Sequence, residues 1–164
     1  MIPNFKTYIG ESIWGDIRKK SLGQEERLED NIDVLFDLIE KTYTSQSLQS
    51  PFEKNNDSIY VPLFYDGWSK VRKMRIAYIE GEKHIYIDSW TGKKEGVKKA
   101  VEAKYNMKDV ILDDKRPSTT SCEISMKNGG KIHNEDCLDI IDTVVENIPR
   151  DIYSIMIKRN EKVK

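Results

Sequence analysis

A chain of 164 residues, 38% apolar and 34% charged, has the length of one ordinary domain and enough apolar material for a real core. Its formal net charge of −1 excludes a global attraction to nucleic acid or to an anionic membrane. No apolar run approaches the roughly 18 residues that span a bilayer, so no membrane partner is expected.

The N-terminus, MIPNFKTYIGESIW, lacks a continuous apolar stretch, so the expectation is a protein without a secretory leader and with a cytoplasmic location. Within residues 1–30, Ile9, Ile13, Trp14 and Ile17 recur at roughly helical spacing and a basic run, Arg18-Lys19-Lys20, precedes Gly23. This reads as a short amphipathic helix, either packed on the core or serving as a docking or peripheral segment with Trp14 as its anchor.

Asn31–Tyr43 reads as a helix, with Ile32, Leu35, Ile39 and Tyr43 on one face and Asp30 or Asn31 as its cap. Thr44–Ser58, polar and broken by Pro51, reads as a loop. Ile59–Phe64 reads as a strand, and Pro62, which has no amide proton for a ladder, makes it an edge or a bulged strand. Arg72–Ile79 alternates apolar and polar residues, Glu80-Gly81-Glu82-Lys83 supplies a turn, and His84–Asp88 resumes the alternation. That pattern predicts a β-hairpin at the centre of the fold.

Ser89-Trp90-Thr91-Gly92 then leads to a helix over Glu95–Tyr105, with Val97, Ala100, Val101 and Tyr105 inside and Lys93, Lys94, Lys98, Lys99 and Lys104 outside. Asp109–Leu112 reads as a strand, Asp113–Ser121 as a polar turn and Glu123–Met126 as a further short strand. Asn134 looks like the cap of a helix that buries Leu138, Ile141, Val145 and Ile148 and stops at Pro149, and Ile152, Ile155 and Ile157 suggest a last strand. The expected fold is one α+β or α/β domain over residues 1–164, with a mixed sheet around hairpin 72–88 flanked by helices.

Two cysteines, Cys122 and Cys137, read as reduced thiols rather than a disulfide framework. The two histidines and two cysteines lack CxxC or HxxxH spacing, and the glycines form no phosphate loop, so neither a metal nor a cofactor is expected. His84 lies four residues before Asp88 on one strand, about 13 Å away, too far to be oriented by it. His133 and Cys137 stand one helical turn apart and form a second conceivable thiol pair, with a buried cysteine beside a solvent histidine as the plain alternative.

VPLFY, a strand, IYIDS, a helix, VILDD and RPSTTSC in succession resemble the adenain-like cysteine peptidases that process ubiquitin-like proteins, over about residues 59–122. The resemblance implies Cys122 as nucleophile and Asp88 as the aspartate that orients a catalytic histidine. In this chain the histidine position falls near Val71 or Arg72, the oxyanion glutamine position falls near Arg116, and Glu123 follows the cysteine where the family has glycine. A thiol nucleophile needs a neighbouring base to become thiolate, and neither Val71 nor Arg72 can act as one near neutral pH.

The sequence therefore points to a non-catalytic domain that binds another macromolecule, a protein rather than nucleic acid. Trp68, in the turn before the hairpin, and Trp90, just after it, are the expected contact residues together with Trp14. Abundant lysine, isoleucine and asparagine fit an AT-rich genome, which makes a phage or mobile-element accessory protein, virion-associated or aimed at a host protein, the concrete form of that expectation. The alternatives are a thiol peptidase or deconjugase using Cys122 and Asp88, and a nucleic-acid contact through the lysine-rich helix 95–105.

Overall fold

The computed structural model describes residues 31–46, 51–65, 67, 71–87, 94–111 and 121–160. Trp14, Trp68, Asp88 and Trp90, and the helix expected before Gly23, lie outside the described residues.

The first described helix, α1 (Ile32–Thr42), begins where the Asn31 side chain accepts a 2.7 Å bond from the Asp33 amide. It buries Leu35 and Ile39 and ends as Tyr43 turns extended into β1 (Tyr43–Ser45). Then come β2 (Glu53–Lys54), β3 (Ser58–Tyr65), β4 (Val71–Ile79), β5 (Glu82–Ile87), α2 (Glu95–Glu102), β6 (Tyr105–Val110), β7 (Ser121–Met126), α3 (Asn134–Glu146), β8 (Ser154–Ile155) and β9 (Ile157–Arg159). Among the described residues no helix is long and apolar enough to cross a membrane.

The main sheet runs β2-β3-β4-β5-β7-β6, with β8 added against the end of β3, while β1 pairs separately with β9. The hairpin β4–β5 is closed by Glu80 and Gly81, with φ of 53° and 82°. Positive φ at both central residues is what a two-residue turn needs to match the twist of its strands. Pro62 sits at a register shift between Pro62 and Phe64 in the β3–β4 ladder, the bulge that its missing amide predicts.

Directly paired residues of an antiparallel sheet share a face, so the registers define rows across it. Ile59, Ile76, Ile85, Ile124 and Met107 form one row, and Val61, Met74, Ile87, Cys122 and Asp109 the next. All but Asp109 are buried, in one cluster with Leu35 and Ile39 of α1, Val97 and Val101 of α2, and Cys137, Ile140, Ile141 and Val144 of α3. At about 1.5–3 kcal/mol per buried large side chain, the first row alone contributes on the order of 10 kcal/mol before chain entropy is subtracted. The three described helices thus cover one face. The other face carries the half-buried row Tyr60, Arg75, Tyr86, Glu123, ending in exposed Lys108.

The fold is α+β, and several local expectations change. Every described strand pair is antiparallel, so the described sheet is not mixed, and the described helices lie on one side of it. The helix after the hairpin ends at Glu102 rather than Tyr105, because Tyr105 opens β6 and donates a 2.7 Å bond to Asp139 of α3. The strand expected at 109–112 accordingly begins four residues earlier. Part of the expected loop 44–58 is strand, since β1 and β2 find partners in β9 and β3. His133, not Asn134, caps α3, its amide donating 2.9 Å to Asp136, while Asn134 is buried. The last strand is two short ones, and Ile152 stays 45% exposed.

Candidate functional site

At one end of the sheet the β6–β7 register sets Asp109 opposite Cys122, and Lys94 enters from the residue that precedes α2. The Cys122 thiol donates to Asp109 Oδ1 at 3.4 Å, and Lys94 Nζ bonds to that same oxygen and lies 3.7 Å from Cys122 Sγ. Cys122 is 1% exposed and Lys94 6%.

Burial pushes the Cys122 thiol up to about 11, with the Asp109 carboxylate also raising it and the Lys94 charge opposing. For Lys94 burial disfavours the ammonium, but the bond to Asp109 and the neighbouring thiol hold its pKa above the ordinary lysine value. The bond from Lys94 holds Asp109 below the usual carboxylate range. At neutral pH the cluster is therefore an ammonium–carboxylate pair beside a protonated thiol. That state orders the start of α2 against the sheet, whereas nucleophilic attack requires thiolate.

The sequence singles out Cys122 but not its partners: by spacing, Lys94 falls among the outward lysines of the helix and Asp109 at the start of a strand. The alternation Tyr105, Met107, Asp109 was the available signal, since it carries a carboxylate onto the core face.

The other candidates separate. Ile87 is the register partner of Cys122, so the described end of β5 lies beside the thiol. The start of β4, where the peptidase family would place its histidine, is divided from β7 by β5. His84 points to the opposite face and pairs with Glu123 at 3.6 Å. Cys137 is fully buried, while His133 is exposed at the helix cap. Of the lysines near α2, Lys98 and Lys99 border an open groove, Lys104 pairs with Asp139 at 3.2 Å, and Lys94 is consumed by the buried cluster. Among the described residues no group of three or more His, Cys, Asp or Glu is arranged to hold a metal ion.

The registers Tyr65↔Val71, Met74↔Ile87, Ile87↔Cys122 and Val110↔Ser121 place five strand termini at the end of the sheet that holds the cluster. These termini flank residues 66–70, 88–93 and 112–120. Ile111, 51% exposed, and Ile152, 45% exposed, stand at the two sides of that end, the latter next to β8, whose Ser154 pairs with Tyr65. The opposite end is closed by the tight turn at Glu80-Gly81.

No protein-family model matches the chain, and it has no significant match among curated proteins or solved structures.

Proposed function

We propose that this α+β domain acts by binding another protein, without catalysis, through the end of the sheet from which the connections bearing Trp68 and Trp90 depart. The observation that carries the reading is the register: the strand termini on either side of residue 68 and the terminus before residue 90 belong to the same end of neighbouring strands. Exposed Ile111 and Ile152 on the same end add apolar surface of the kind that interfaces bury. The protonated, enclosed state of Cys122 supports a binding rather than a thiol-chemical role. The test is site-specific photocrosslinking with a benzophenone amino acid at position 68, 90 or 80 in the native host. Adducts at 68 and 90 and none at 80 are expected; adducts at 80 alone reject this placement.

One observation favours a second reading, an adenain-like thiol peptidase: the Ile87↔Cys122 pair sets the strand that precedes Asp88 against the proposed nucleophile. Covalent labelling by a ubiquitin-like vinyl-sulfone probe, lost in Cys122→Ala, would establish it and displace the binding-only reading.

A further inference from the structure

Across the sheet face opposite the helices, one row of directly paired residues runs Glu53, Tyr60, Arg75, Tyr86, Glu123, Lys108. Read in reverse, the row is its own chemical complement. Glu53 meets Lys108, Tyr60 meets Glu123, and Arg75 meets Tyr86, which are an ion pair, a hydroxyl–carboxylate pair and a guanidinium on an aromatic face. No described helix covers this face, where Arg75 Nε donates to Ser58 Oγ at 3.2 Å.

We propose that the face binds a second copy of this chain, about a two-fold axis that runs parallel to the strands between β4 and β5, over the Arg75–Tyr86 pair. Such an axis superposes the row on its own reverse and repeats every contact twice. Packed sheets cross at about 30°, which offsets the ends of the row by roughly 6 Å, a gap that facing lysine and glutamate side chains can span. Six strands, with five spacings of about 4.8 Å, by about six residues give on the order of 500 Å² of flat face, which side-chain relief brings toward the roughly 800 Å² per partner of a standard interface. A face of this size and polarity gives a dimer in the micromolar range rather than a permanent one. This surface is the face of the sheet, separate from the end at which β3 and β5 stop.

Glu53 and Lys108 are both exposed and stand at opposite edges of the sheet, so within one chain they do not meet. Within the chain Glu53 lies 3.9 Å from Lys73, a contact that Lys108→Glu leaves untouched, so recovery of the dimer in the double variant reports the contact between copies. Sedimentation equilibrium of the full chain over a concentration series should show a monomer–dimer equilibrium that weakens with salt. Glu53→Lys alone and Lys108→Glu alone should each weaken it about tenfold, since each reverses two symmetric contacts, and the double variant should return to within about threefold of the parent. Circular dichroism of each variant checks that it folds, and Tyr86→Lys at the centre should abolish the dimer. A monomer at all concentrations overturns the proposal. So does a dimer that ignores Tyr86→Lys, which would lie elsewhere, or two single defects that add without rescue. Retention of a labelled single-stranded oligonucleotide by a monomer, lost in Arg75→Glu, would overturn it in favour of a nucleic-acid face.

Discussion

Cys122 and Asp109 face each other across the β6–β7 ladder with Sγ 3.4 Å from Oδ1, and the same oxygen receives the buried ammonium of Lys94. One carboxylate thus neutralises a lysine and accepts from a thiol, which makes the cluster sensitive to loss of any member.

Asp109→Asn leaves Lys94 6% exposed without its counter-charge. Because Asp109 itself is 53% exposed, solvent screens the pair, and a loss of about 1–2 kcal/mol in urea unfolding at pH 7 is expected. The folded carboxylate titrates below its usual range, so its contribution is present above the unfolded pKa near 4 and is lost as pH falls through the folded value. The parent should therefore lose stability between pH 4 and more acid conditions more steeply than Asp109→Asn. Parallel acid profiles would refute the pairing.

A second pH dependence lies at the alkaline side. The Cys122 thiol moves from 9.0 to about 11 on folding, so the folded state holds its proton where the unfolded state has lost it. Its stabilisation is complete below pH 9 and declines as pH rises from there to about 11, by up to roughly 2–3 kcal/mol. Cys122→Ala should flatten that decline in a series of urea midpoints. In native protein at pH 7.5, an alkylating reagent should modify Cys122 and Cys137 far more slowly than in denaturant, because both are buried.

Tyr43 ties three elements together. Its hydroxyl donates 2.6 Å to Asp142 of α3, lies 3.1 Å from the Leu138 carbonyl and receives a 3.3 Å bond from Arg159 of β9, which also bonds Asp142. Burial, followed by the bond to Asp142, raises the phenol well above its ordinary range. Tyr43→Phe should cost about 1–2 kcal/mol and lower the Tm by several degrees, with no change in far-UV circular dichroism. An unchanged Tm would show that the network contributes nothing net.

The turn at the hairpin tip allows a test in each direction. Gly81 has φ 82° and Glu80 φ 53°, conformations that cost a side chain little only when it is absent or is asparagine. Gly81→Ala should destabilise by about 1 kcal/mol and Glu80→Asn should stabilise by some tenths, both read from denaturant midpoints at constant slope. The reverse order of the two would contradict the turn geometry.

The hairpin and α1 were legible because a single local signal defines each: alternation around a glycine, and a helical stripe behind Asn31. The boundary at Tyr105 was not, because Val97, Val101 and Tyr105 satisfy helical spacing while Tyr105, Met107 and Asp109 also alternate. The bond from Tyr105 to Asp139, 34 positions away, decides between them, and no local window contains it. The buried cluster was invisible for the same reason. Lys94, Asp109 and Cys122 come from three separate segments that only the β6–β7 register and the start of α2 bring together.

The bulge at Pro62 has a consequence for how the chain assembles. Beyond it, Phe64 and Tyr65 take Ile155 and Ser154 as partners, and Tyr43–Ser45 takes Ile157–Arg159. During synthesis the hairpin can close as soon as Ile87 leaves the ribosome, but these early segments must wait for residues 154–159. Until then two β edges stand open to strands of neighbouring nascent chains. The slow, long-range closure by the last strands is thus the step at which this domain is most exposed to misassembly.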